Sequence, residues 1–165
     1  AAGGTLDGIA RRIAAFTPLP HRLEEHRVGG TIFVDDSIST TPEATKAALA
    51  AYHGHRLALI AGGHERQQDY EELAGLLAGY GVTTLACLPV TGARLATAVR
   101  TAAPHITVFA EPDLEAAMRA LHTQRHAYDA VVLSPGAPSY NQFKNFEERG
   151  RRFVELAQSI FGQDG

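Results

Sequence analysis

A regular alternation of short apolar runs with longer stretches of helical periodicity constrains this chain more than any other feature. Thr31 to Val34, Arg56 to Ala61, Thr84 to Leu88, Ile106 to Phe109 and Ala130 to Leu133 each read as a strand. Between them, helical patterns cover Pro42 to Tyr52, Asp69 to Tyr80, Thr91 to Thr101 and Asp113 to His126, and a last one covers Tyr140 to Phe161. Pro42 suits a first helical position, Gly54 and Gly81 follow helix ends, and Asp113 suits a cap. Alternation of this kind implies a parallel sheet with helices on both faces. Upstream, Leu6 to Phe16 carries an apolar stripe that Thr17-Pro18-Leu19-Pro20 ends. His21 to Val28 reads as a further strand, joined to Thr31 by the Gly29-Gly30 turn. That hairpin would put one antiparallel strand at the sheet edge. The expected fold is therefore a three-layer α/β domain with about six strands, mostly parallel.

At 165 residues the chain fits a single domain, 1–165, with a sizeable core. No apolar stretch approaches the ~20 residues that span a bilayer, and no signal peptide is recognisable, so no membrane partner is expected. A net charge of -3 gives no electrostatic reason to expect nucleic acid. The one cysteine, Cys87, excludes an intrachain disulfide and lies in an apolar run, as a small core residue would. Such usage suits a reducing, cytoplasmic compartment. Residues 1–4 read as a linker or expression remnant without an initiator Met, so the chain is expected to be a piece of something longer.

Ligands of open α/β sheets bind beyond the carboxyl ends of the strands, and three loops fall there. The first, Asp35-Asp36-Ser37-Ile38-Ser39-Thr40-Thr41, packs two carboxylates and four hydroxyls ahead of Pro42. Asp36 or Thr41 can cap the following helix; alternatively Asp36 accepts ribose hydroxyls or helps place a cation, and Thr40 holds a carboxylate. The second, Gly62-Gly63-His64-Glu65-Arg66-Gln67-Gln68-Asp69-Tyr70, pairs glycines that permit close backbone approach with an arginine whose fork can grip a carboxylate. The third, Ser134 to Gly150, is stiffened by Pro135 and Pro138 and places Ser139 as a cap, with free amide donors after it. A carboxylate or phosphate suits that position. No Gly-x-x-x-x-Gly-Lys-[Ser/Thr] is present, so the chain cannot cradle ATP phosphates by itself, and no Gly-x-Gly-x-x-Gly argues for NAD. His122 and His126 have the spacing of metal ligands but no third ligand, and read as a solvated helix face. This pattern also fits a stand-alone flavodoxin-like binding module.

The literal string Ser-Pro-x-x-x-Ser-x-x-Gln-Phe-Lys-Asn-Phe-Glu-x-Arg-Gly, beginning at Ser134, closely resembles the C-terminal signature of the Mur ligases, and within them the MurD-type branch. The resemblance implies a Rossmann-like C-terminal domain over nearly the whole chain. It implies an ATP-dependent ligase of peptidoglycan precursor synthesis that adds glutamate to UDP-N-acetylmuramoyl-L-alanine. Carried over residue by residue, it puts glutamate at Thr40, Arg66, Ser139 and the backbone of Phe146. It puts the nucleotide at Asp36 and at Arg22 of Pro20-His21-Arg22, with Ser37 and Asn145 in support. ATP and Mg2+ would be held by the full-length enzyme, in N-terminal UDP-binding and central ATP-binding domains absent here. This chain alone would then be inactive, with no catalytic residue or metal of its own. D-glutamate is the default acceptor. L-glutamate is the alternative, because Ile38 stands where the family carries lysine and Arg66 where many members carry lysine.

Overall fold

The computed structural model describes residues 19–163. The helix expected over Leu6 to Phe16, and residues 1–4, lie outside the described residues. Strands β1 (Glu24–Val28) and β2 (Thr31–Asp35) form the hairpin. Helix α1 (Pro42–Ala51) follows, then β3 (Leu57–Gly62), α2 (Glu71–Leu76), a 3-10 turn (Ala78–Tyr80) and β4 (Val82–Leu88). Helix α3 (Gly92–Ala102), β5 (Thr107–Ala110), α4 (Leu114–Thr123), β6 (Ala130–Leu133) and α5 (Phe146–Phe161) complete the order. The six strands run β1-β2-β6-β3-β4-β5, all parallel except the β1–β2 pair. The expected three-layer, mostly parallel sheet with one antiparallel edge is the fold observed.

Period-two alternation divides the core into two layers. Val34, Leu57, Leu59, Ala61, Leu85, Cys87 and Val132 face α1, α2 and α3. Phe33, Ala58, Ile60, Ala86, Leu88, Val131 and Leu133 face α4 and α5. Cys87 is buried in the first of these layers, and burial pushes its thiol up to about 12, so it behaves as a small core residue. Charged residues Glu24, Glu25 and Arg27 lie exposed on β1, as suits an edge strand. Among the described residues no helix is long and apolar enough to cross a membrane.

Three helices differ from the expectation by more than one residue. Helix α2 stops at Leu76, and the 3-10 turn replaces its last part, where Gly75 and Gly79 lower helix propensity. Helix α4 ends at Thr123 because the Tyr128 hydroxyl donates to the Leu121 carbonyl at 2.7 Å and Thr123 turns back onto the Ala120 carbonyl. His126 therefore lies beyond the helix, and His122 packs edge-on against Phe161 at 4.8 Å, so the expected solvated histidine face does not exist. Helix α5 begins at Phe146 instead of Tyr140. Its cap is Asn145, whose side chain accepts from the Glu148 N–H at 2.9 Å, while Glu148 reaches back to the Lys144 N–H at 2.7 Å.

Phe33 lies at the centre of the α4–α5 layer, with Phe161 at 4.8 Å and Phe153 at 5.9 Å. Phe33→Ala should cost about 3–5 kcal/mol, the usual range for emptying a buried aromatic site. Urea unfolding followed by circular dichroism should show a lower midpoint; an unchanged midpoint would remove Phe33 from the core.

Candidate functional site

Strand β6 enters the sheet between β2 and β3, so the loops after those three strands are neighbours at one edge. Backbone bonds join them. Gly136 N–H donates to the Ser39 carbonyl at 3.2 Å, and Gly62 and His64 N–H groups donate to Pro135 and Pro138, each at 2.8 Å. Side chains add two more ties, Gln68 Nε2 to the Thr40 carbonyl at 3.1 Å and the Tyr70 hydroxyl to the Gly136 carbonyl at 3.0 Å. A Cβ on Gly63 would press into the Pro138 carbonyl, so this close approach depends on glycine.

Arg149 locks the first loop to the third. It lies on the apolar stripe of α5 with Phe153, Leu156 and Ala157, and is 1% exposed. Its Nε donates to Ser37 Oγ at 2.9 Å, and its terminal nitrogens donate to the carbonyls of Ser37 at 2.8 Å and Ala137 at 3.1 Å. Ser37 Oγ then donates to the Phe146 carbonyl at 2.8 Å. Burial pushes the guanidinium down to about 10, and the Asp35 carboxylate opposes that shift.

Asp35 is itself buried and fully engaged. One oxygen accepts from the Ser37 N–H at 3.0 Å and the other pairs with His21 Nδ1 at 2.7 Å. A Cβ on Gly150 would collide with both His21 and Asp35, so α5 can pass here only with glycine. His21, Glu24 and Asp35 offer ligand atoms within 4.8 Å of one another, the only such group found among the described residues. Two of these atoms already bond each other, His21 Nδ1 and the Asp35 carboxylate, and the Glu24 carboxylate accepts from the His21 backbone N–H at 3.0 Å. The cluster thus anchors the turn before β1 and puts Arg22 in place.

Arg22 and Asp36 line one small pocket of about 130 Å³ with Leu23, Ser39, Ala44, Ala47 and Ala48. Asp36 accepts from Ser134 Oγ at 2.7 Å. Burial raises the Asp36 pKa, while hydrogen bonds from Ser39 and Ser134 and the charge of Arg22 pull it back. Helix α1 is capped by Thr41 and not by Asp36, which leaves Asp36 to the pocket.

The other sequence-predicted residues are distributed as follows. Ser37 and Phe146 are bonded to each other, and Asn145 caps α5. Ser139 is buried, and its carbonyl accepts from the Gln142 and Phe143 N–H groups in a turn, so it does not cap the last helix as expected. Phe146 occupies the first position of α5, where its N–H has no intrahelical acceptor. Thr40 is half-buried. Arg66 is exposed, and its side chain bonds to none of the other predicted residues. Sequence reasoning assigned no role to Arg149, His21, Asp35 or Ser134. The available signal was a charged residue on the apolar stripe of α5, at Arg149.

Comparison with known proteins gives a consistent picture. Residues 21–137 match the family described as "Mur ligase, glutamate ligase domain". The chain is 38% identical over 157 residues to the UDP-N-acetylmuramoyl-L-alanine--L-glutamate ligase of a Micromonospora species, covering 94% of this chain and 34% of that protein. It is 35% identical over 156 residues to the UDP-N-acetylmuramoylalanine--D-glutamate ligase of Rubrobacter xylanophilus, covering 94% and 35%. The chain thus spans about a third of the length of these relatives. A crystal structure of MurF ligase from Thermotoga maritima in complex with ADP has the same fold, with a TM-score of 0.63 at 14% identity over 95% of this chain and 37% of that one.

The raised pKa of Asp36 has a testable sign. Between the ordinary carboxylate value of 3.8 and the raised one, folding takes up a proton. Stability from this group is full below 3.8 and is lost as pH rises through the folded value. Asp36→Asn, which cannot titrate, should therefore gain stability relative to wild type between about pH 3.5 and pH 7. Thermal melts of both proteins across that window check this; a constant difference would place the Asp36 carboxyl in a water-like setting.

Proposed function

The chain belongs to the Mur ligase family, in the part described as its glutamate ligase domain, and from that premise we propose that it is the C-terminal domain of a MurD-type ligase adding glutamate to UDP-N-acetylmuramoyl-L-alanine. The observation that carries this reading is the hydrogen-bonded meeting of three loops at the carboxyl ends of β2, β6 and β3. Those loops hold the hydroxyls, the guanidinium and the unpaired helix amide that a dicarboxylate needs.

In the proposed reaction the terminal phosphoryl group of ATP passes to the carboxylate of the UDP-linked substrate, with release of ADP. The glutamate amine then attacks the acyl phosphate, an amide forms and phosphate leaves. This domain presents glutamate. Ser139 and the Phe146 N–H take one end of it, and Thr40 and Arg66 the other. Arg22 and Asp36 meet the nucleotide as the domain closes over it, and Ser37 and Asn145 hold the loop and the helix start in place. The work is positioning and charge neutralisation, which lower the barrier of a two-substrate step without any group of this domain entering the bond changes. The phosphate cradle, Mg2+ and the UDP site belong to the remaining two thirds of the enzyme, which acts in the cytoplasm on peptidoglycan precursors.

D-glutamate is the default acceptor of this reading. L-glutamate is a second reading, favoured by the name of the Micromonospora relative and by the altered cations of the first two loops. Ile38 removes one positive charge from the first loop, and Arg66 offers a flat fork in place of a mobile point charge. Moving the carboxylate anchors while the amine must still face the acyl phosphate changes which enantiomer fits.

The isolated chain should unfold cooperatively yet form no amide from ATP, glutamate and the UDP-linked substrate; turnover by the chain alone would sink the multidomain reading. In the full-length enzyme, Ser139→Ala and Arg66→Ala should each raise the KM for glutamate about tenfold or more, the loss of one bond to a charged group, and leave the KM for ATP near wild type. Supplying the enantiomers separately decides the acceptor. Unchanged glutamate constants in both variants would move the glutamate site elsewhere.

A further inference from the structure

We propose that Glu65 and Arg94 form a latch that aims Arg66 at the substrate carboxylate, and so are positioning residues of the glutamate site. The proposal rests on the reading of Arg66 given above and extends it to two residues outside the resemblance. Arg66 sits on the irregular stretch between β3 and α2, exposed, with no strand or helix to direct it. The Glu65 carboxylate closes a tight turn around it. Glu65 accepts from the Gln67 N–H and the Arg66 N–H, and Gln67 takes the left-handed conformation that such a turn requires, with φ 57°.

Arg94, from α3, fixes that turn from outside. A single terminal nitrogen of Arg94 lies 2.9 Å from both Glu65 oxygens. Its guanidinium carbon stands 5.4 Å from the centre of the Tyr70 ring. Tyr70 is buried, and its hydroxyl holds the Gly136 carbonyl in the third loop. The turn carrying Arg66 is thereby referenced to the loop carrying Ser139. The charges matter as well. Glu65 is next to Arg66 in the chain and is the nearest carboxylate in sequence that could capture its guanidinium. With Glu65 held and neutralised by Arg94, the Arg66 fork stays available to a ligand. The Glu65 pKa is lowered, first by the Gln67 N–H and then by Arg94.

An exposed ion pair of this kind contributes little to stability, so a structural role predicts almost no effect of its loss. A positioning role predicts a selective one. In the full-length ligase, Arg94→Ala should leave the thermal midpoint unchanged, raise the KM for glutamate about fivefold or more and leave the KM for ATP unchanged. Amide exchange of the 65–67 turn, read by mass spectrometry on the same protein, should speed up about tenfold. Because one nitrogen makes both contacts, Arg94→Lys should restore most of the glutamate KM. If Arg66→Ala raises the glutamate KM and Arg94→Ala does not, the latch is overturned and the Arg66 reading stands. If Arg66→Ala itself leaves the glutamate KM unchanged, the Arg66 reading falls and the latch proposal falls with it.

Discussion

A guanidinium withdrawn from water inside the sheet's upper edge determines how the rest of this domain is arranged. A buried cation is tolerated only when its donors are satisfied. Arg149 meets that condition with two carbonyls and a hydroxyl drawn from two different loops. The loops after β2 and β6 must therefore come together for the helix to dock, and the helix must dock for the loops to stay together. Ser37 transmits this constraint to the first turn of α5 through the Phe146 carbonyl. The Asp35–His21 pair carries it to the turn that presents Arg22.

The sheet order makes this convergence possible. Placing β6 between β2 and β3 sets the loops after those three strands side by side. Helices α1, α2 and α3 cover one face and α4 and α5 the other, so both faces are closed and the carboxyl edge is left to the loops. That edge is tied down where it contacts the sheet, through Ser134, Asp36 and Gly136, while Thr40 is half-buried and Arg66 exposed.

Much of this was legible in the residues themselves. Strand alternation such as Phe33 against Val34 and Ala58 against Leu59 assigns side chains to two layers before any coordinates are known, because the strand period is two. The Gly29-Gly30 turn announced the hairpin, Thr41 and Asp113 the helix caps, and the string from Ser134 to Gly150 the family. The start of α5 falls at Phe146 and not near Ser139 because Asn145 supplies the cap, reinforced by the bond of Glu148 to the Lys144 N–H, while the Ser139 carbonyl is held in a separate turn.

The sequence by itself determined the elements, their layers and the residue types gathered in three loops, since periodicity and turn chemistry are local properties. Only the tertiary structure decided which polar groups are buried together. Arg149 reads as one more charged residue of a helix until the docking of α5 places it against the carbonyls of Ala137 and Ser37, which precede it by 12 and 112 positions in the chain. Arg94 likewise meets Glu65 only because α3 packs beside the loop after β3. Desolvation and hydrogen bonding between distant segments depend on three-dimensional approach, and no local pattern encodes that distance.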